Sequence, residues 1–240
     1  MVITTTAVAF MLLSLGLAFC GWRFLTAFRG VGGFKEGNKI GLLISLFLFG
    51  FAFQTGVILG LGTLFLSGTS HGLSFVFVIA NFFLTLLAAF GIYTAYYIFF
   101  PKRSAWPLII ATLFVGAVTV VSTLVYPPRP FITLQKGVEW NASGPLSLAT
   151  FSLLFIGIGV QFYTFGRLFL LAKDWGIRIL SLILTLLAFA GIIDQFTRFV
   201  LFRDVPADIR SRNYDIVHAF IGVVFIAAFI VVPFTRKWIR

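Results

Sequence analysis

Asp194 and Arg198 stand four residues apart in GIIDQFTRFVLF, Gly191 to Phe202, within one of the most apolar stretches of the chain. Opposite charges at i and i+4 share one face of a helix and can pair along it. Ionisable groups inside hydrocarbon are costly, usually face a bundle interior, and mark candidate functional positions. Other polar residues follow helical spacing. Asp215, His218 and Gly222 form one stripe, and Ser74, Asn81, Thr85 and Ala88 another, while Gln54 sits alone in a glycine-rich stretch. At a rise of about 1.5 Å per residue, Asp194 lies about 12 Å, His218 about 6 Å, Asn81 about 14 Å and Gln54 about 18 Å from the outer ends of their spans.

These depths overlap. The sequence therefore leads to the expectation that Gln54, Asn81, Asp194, Arg198, Asp215 and His218 surround one outward-facing cavity between the second, third, sixth and seventh spans, where a small ligand or ion binds. The competing reading is structural. Asp194 and Arg198 would then tie the sixth span to the seventh, with Arg198 reaching to the interface. His218 reads first as a helix-packing hydrogen-bonder, and beside Asp215 as a pH-sensing group.

The elements that must position these residues follow from composition. Of 240 residues, 60% are hydrophobic and 10% charged, and the mean hydropathy is +1.07. A soluble domain would be about one quarter charged. Seven apolar runs are each long enough for a membrane-spanning helix, at roughly 2–22, 40–66, 72–100, 106–125, 145–171, 177–202 and 214–234. The fold class expected is an all-α integral membrane protein, a single seven-transmembrane-helix bundle. The runs lack the polar–apolar alternation of an outer-membrane strand. The first run is read as a retained helix rather than a cleaved signal peptide, because it lacks a basic leading segment. The tract from Tyr126 to Pro145 is the longest connection, and its prolines and glycines mark an ordered turn region. Asn141-Ala-Ser143 is formally a glycosylation sequon there.

The net charge of +11 is distributed as membrane topology requires. Arg23, Arg29, Lys35, Lys39, Lys102, Arg103, Arg167, Lys173, Arg178 and the C-terminal Arg236, Lys237 and Arg240 fall on one side. Arg129, Lys136, Arg203, Arg210 and Arg212 fall on the other, partly offset by Glu139, Asp204, Asp208 and Asp215. The positive-inside rule then places the N-terminus outside and the C-terminus in the cytoplasm. The basic surface reads as contact with anionic lipid, not as a nucleic-acid footprint.

The first three and last three spans are weakly alike. WRFLTAFRG (Trp22 to Gly30) can be laid on QFYTFGRLF (Gln161 to Phe169), and the span holding Gln54 on the span holding Gln195. This suggests a 3+1+3 internal repeat, an arrangement used by transporters. Gly56 and Gly60 form a GxxxG, a surface for close approach of a helix, within the bundle or between copies.

No HExxH, CxxC, Walker or GxSxG pattern appears, so no enzymatic chemistry is expected. No cofactor is expected either. The lysines (35, 39, 102, 136, 173 and 237) all lie outside the spans, which disfavours a retinal Schiff base, and His71 reads as a loop residue rather than a haem ligand. With a single cysteine there is no internal disulfide. The expectation is a non-enzymatic receptor or sensor-like module of a bacterial or other plasma membrane. It would relay a small ligand, ion or proton signal to a membrane or cytoplasmic protein partner. The alternatives are a small-solute transporter or channel, and a structural subunit of a larger membrane complex.

Overall fold

The computed structural model describes residues 3–29, 35–141, 144–196 and 206–231. The chain is built from long helices: α1 (Thr5–Arg29), α2 (Lys35–Phe53), α3 (Gly62–Leu66), α4 (Ser70–Phe99), α5 (Trp106–Val125), α6 (Gly144–Leu171), α7 (Trp175–Phe196) and α8 (Ala207–Val231). A π-helical segment, Gln54–Leu61, joins α2 to α3 in one continuous rod. Among the described residues, six helices are long and apolar enough to cross a membrane: α1, the α2–π–α3 rod, α4, α5, α6 and α7. The protein is thus an all-α bundle with the build of a multi-pass membrane protein. Helices suit that setting because they satisfy their own backbone hydrogen bonds.

Helix α1 is central to one half. It packs along α8, along α2 and against the π segment. In the other half α6 packs along α7, and α4 packs against both α5 and α6. The main core joins the halves through Phe10, Leu17, Phe24, Phe47, Leu153 and Phe165. Phe24 and Phe165 lie 5.7 Å apart between ring centres.

Two close helix approaches depend on missing side chains. A methyl group at Gly16 would stand 2.8 Å from the Gly222 carbonyl oxygen, and one at Gly222 would stand 2.6 Å from the Leu13 nitrogen. Backbone therefore meets backbone where α1 crosses α8, as small residues allow in membrane bundles. The GxxxG of the second span serves the same purpose within the chain. A methyl at Gly56 would meet Ser14 Cβ at 2.7 Å, and one at Gly60 would meet Met11 Cγ at 3.1 Å, both on α1.

One contact is particular to the start of the π segment. The Ser14 hydroxyl on α1 donates to the Ala52 carbonyl at 2.7 Å, two residues before the segment begins. A donor inserted from another helix competes with the helix's own bonds, which is one way an α-helical ladder is disturbed.

Several expected boundaries move. Helix α1 runs through Arg29 rather than ending near residue 22, because Trp22–Arg29 holds no glycine or proline. Arg23, which falls just beyond the expected end of the first span, is instead inside α1 and only 8% exposed. Helix α8 begins at Ala207, well before residue 214, directly after Pro206, whose carbonyl accepts from the Ile209 and Arg210 amides. Asp208 in its first turn suits the positive end of the helix dipole. The tract from Tyr126 to Pro145 contains a small antiparallel hairpin, β1 (Phe131–Ile132) with β2 (Val138–Glu139), in which Phe131 pairs with Glu139 and Ile132 with Val138.

Gly222→Ala is expected to destabilise the bundle by about 1–3 kcal/mol, since the added methyl meets backbone that cannot move aside cheaply. Gly159→Ala, where a methyl meets nothing within 4 Å, is expected to be neutral or slightly stabilising. Thermal unfolding of the two variants in one detergent compares them directly.

Candidate functional site

The densest polar cluster among the described residues lies where the first turn of α1 and the first three turns of α8 meet the hairpin. Thr4 opens α1 by accepting the Ala7 amide on its hydroxyl at 3.1 Å. This sets Thr5 and Thr6 on the first turn, facing α8. The hairpin turn closes through Thr133, whose amide donates to the Gly137 carbonyl at 2.8 Å and whose carbonyl accepts from Lys136 at 2.9 Å. Lys136 takes a left-handed φ of 61°. Its carbonyl accepts the Thr5 amide at 2.9 Å, docking the turn on α1.

Asp215, one of the residues singled out from the sequence, sits at the centre. It is 5% exposed. Its Oδ2 accepts from the Thr5 hydroxyl at 2.5 Å and the Thr6 hydroxyl at 3.0 Å. The Thr6 oxygen in turn accepts from the Val138 amide at 2.8 Å. The resulting chain, Val138 N–H to Thr6 O–H to carboxylate, lets each bond polarise the next in a poorly solvated place. Hydrogen bonds to a charged acceptor are roughly twice as strong as neutral ones, which is what makes the burial of a carboxylate tolerable.

Three more links hold the hairpin to α8. The Thr133 and Ser211 hydroxyls lie 3.3 Å apart. The Leu134 amide donates to Asp208 Oδ1 at 3.1 Å. Arg210 Nε is 3.3 Å from Glu139 Oε2 in a largely buried ion pair. Gly137 has no side chain because none fits: a methyl there would stand 2.8 Å from Ser211 Oγ and 3.2 Å from Asp215 Oδ2. Beside the cluster a cavity of about 400 Å³ is walled by Thr5, Gln135, Arg212, Asp215 and Ile216. It offers one carboxylate, one guanidinium at the rim, the Thr4 and Thr5 hydroxyls and the Gln135 amide, against apolar walls of Ile3, Val8, Ala9, Ile216 and Ala219. Such a set suits a proton, a small cation or a small hydrogen-bonding solute. Among the described residues no three His, Cys, Asp or Glu side chains converge as metal ligands.

The other residues chosen from the sequence fall into separate places. His218, one turn below Asp215, is half-buried against Phe10 of α1 and Tyr214, with ring centres 5.4 Å and 4.0 Å away. Its Nδ1 lies 2.8 Å from the Tyr214 carbonyl, so that nitrogen carries the proton. Gln54 and Asn81 are both buried. Gln54 Nε2 donates to the Ala80 carbonyl at 3.4 Å and Asn81 Nδ2 to the Phe77 carbonyl at 3.0 Å. They form a second polar locus between the π segment and α4. Helix α1 stands between this locus and the Asp215 clasp, since it packs on the π segment with one face and on α8 with another. The single cavity expected from overlapping depths is thus two loci at similar depth on opposite sides of α1. Depth along a helix says nothing about rotation about it. Arg198 and the side chain of Asp194 lie outside the described residues. His71 is exposed in the first turn of α4.

Sequence reasoning missed Thr5, Thr6, Thr133, Gly137 and Ser211. The only signal was the polar Thr4-Thr5-Thr6 run opening an otherwise apolar span, which was absorbed into that span. It also missed Arg23, whose burial follows from the unbroken length of α1.

Thr6→Val removes both a donor to Asp215 and the acceptor of the Val138 amide while keeping the side-chain shape. It is expected to cost about 1–3 kcal/mol. Thr26→Val, whose hydroxyl bonds only to the Trp22 and Arg23 carbonyls of its own helix at a half-buried position, is expected to cost at most a few tenths by the same measurement. No protein-family model, curated protein or solved structure matches the chain.

Proposed function

We propose that the chain is a seven-span bundle with its N-terminus outside and its C-terminus cytoplasmic, acting as a non-enzymatic receptor or sensor-like module whose input is the Asp215 clasp. Helix α8 supplies the seventh span. It is 25 residues long and packs along α1. The orientation rests on the basic residues at the opposite end from the clasp, among them Lys102, Arg103, Arg167 and Arg178. The membrane is a plasma membrane in this reading.

The observation that carries the proposal is the clasp itself. A buried carboxylate joins Thr5 and Thr6, the Val138 backbone and α8 beside a cavity of about 400 Å³. A proton or small cation arriving there changes what Asp215 can accept. The α1–α8 contact is backbone-tight at Gly16 and Gly222, so α8 moves against α1 as a rigid body rather than bending locally. The movement reaches the basic end, where a membrane or cytoplasmic protein partner would read it.

A transporter is the second reading, and one observation favours it. Helix α1 packs on α2 and α8 as α6 packs on α7 and α4, the pattern a 3+1+3 repeat about an axis along the membrane normal would give.

The test is the melting temperature of purified protein across pH and a panel of alkali cations and small amines, with Asp215→Asn alongside. Saturating binding raises stability by mass action, by about 2.7 kcal/mol at a hundredfold excess over Kd. The expected result is a pH- or cation-dependent rise that the variant lacks. A response identical in both proteins would contradict an input at Asp215. Uptake by proteoliposomes of whichever solute stabilises the protein would favour the transporter, and its absence the sensor.

A further inference from the structure

At the end of the bundle away from the clasp, α4, α5 and α6 leave a groove open to the lipid-facing surface. It has a volume of about 590 Å³ and is walled by Ile92, Thr112, Val115, Ile156 and Gly159, with Tyr96 and Phe100 closing one end. That volume falls in the range of about 300–1,000 Å³ typical of small-molecule sites. The groove stays open partly because Gly159 presents no side chain to it, and a methyl there would meet nothing within 4 Å.

A second cavity, of about 340 Å³, continues from the first across the shared Tyr96 and Phe100. Its walls are different in kind: Tyr93, Tyr97, Arg103, Ser104 and Trp106. The aromatic rings that divide the two cavities are braced. Phe100 stacks on Tyr163 at 6.3 Å, and Phe99 meets Tyr163 edge-on at 6.0 Å. The Arg103 guanidinium sits 5.7 Å over Phe100, and that of Arg167 sits 5.7 Å over Phe99. Lys102 adjoins them in sequence. Among the described residues neither arginine has an acidic partner. Glu139, Asp208 and Asp215 belong to the clasp at the other end, and Asp174 caps α7 by accepting the Ile177 amide at 2.8 Å.

An apolar groove opens to lipid and ends in tyrosines, a tryptophan and the Arg103 guanidinium, with Arg167 over the adjoining Phe99 and no acidic partner for either among the described residues; this is the division of chemistry found in a phospholipid. We propose that the paired cavities bind one phospholipid with an anionic headgroup. Its phosphate lies by Arg103 and Arg167, its glycerol region against Tyr93, Tyr97 and Trp106, and one acyl chain along the groove past Gly159. Arginine suits the phosphate because its planar fork offers several donors at once. Tyrosine and tryptophan suit the boundary between chain and headgroup. The proposal is independent of the sensor and transporter readings.

Native mass spectrometry of the detergent-solubilised full chain, offered phosphatidylglycerol and phosphatidylcholine in equal amounts, tests it. The wild type is expected to retain phosphatidylglycerol preferentially, by roughly fivefold for each guanidinium engaged. Arg103→Gln with Arg167→Gln is expected to bring the two lipids to parity while still retaining lipid. Gly159→Leu, which fills the groove, is expected to lower retention of both. Equal retention of the two lipids by the wild type would overturn the proposal. So would a preference that survives both sets of substitutions, which would mark diffuse attraction to the basic end rather than a site. The arginines are exposed, so their variant stays informative even if Gly159→Leu destabilises the fold.

Discussion

Asp215 places a carboxylate among apolar helices, and the two hydroxyl hydrogen bonds from Thr5 and Thr6 help make that position tenable. Much else in the bundle is arranged around this requirement. The donors come from the first turn of α1, so that turn must meet α8 at the level of Asp215, two turns into the helix. The Thr6 oxygen accepts the Val138 amide, so the hairpin has to lie across that meeting point. Gly137 lets the hairpin backbone come close enough, and the Arg210–Glu139 pair and the Asp208–Leu134 bond fasten it to α8. The connection between spans is thereby held by directional bonds to α1 and α8 on one side, and on the other by Val138 and Trp140, which are buried against Leu73, Val76 and Phe77 of α4.

Below the clasp, shape takes over from polarity. Lipid chains are as apolar as leucine, so helices in a membrane gain little from hydrophobic burial against one another and rely on close packing. Gly16 and Gly222 bring α1 onto α8, while Gly56 and Gly60 bring the π segment onto α1. The π segment follows directly on the Ala52 carbonyl that the Ser14 hydroxyl of α1 occupies. Such turns recur at functional sites, and this one begins at Gln54, opposite Asn81. The half formed by α4, α5 and α6 is packed less closely toward the basic end and leaves the braced aromatic groove there. The two ends of the molecule therefore differ in kind, one polar and latched, the other aromatic, basic and open to the sides.

Much of the fold was legible from the sequence because hydropathy reports helix length directly. The third, fourth and fifth spans are placed to within two residues of α4, α5 and α6. The boundaries that moved, at Arg29 and Ala207, involve polar residues that continue a helix beyond its apolar run, which hydropathy alone cannot register. For the site, spacing was informative and depth was not. Asp215, His218 and Gly222 were read as one stripe, and all three do face α1. Gln54 and Asn81 were grouped with them by depth, yet helix rotation and neighbour order put them on the far side of α1. The threonines of the clasp were illegible for a further reason. Their role exists only because α8 and a hairpin, each more than a hundred residues away, come to meet them.

The central claim is that Thr6 and Asp215 act as one unit holding α1, the hairpin and α8 together. A double-mutant cycle measures that coupling most directly, using the unfolding free energies of Thr6→Val, Asp215→Asn and the double variant. Residues in one buried hydrogen-bond network show interaction energies of about 0.5–3 kcal/mol. A double variant little worse than the more damaging single one is the predicted result. Fully additive losses would mean that the two residues stabilise the protein separately and that no such unit exists.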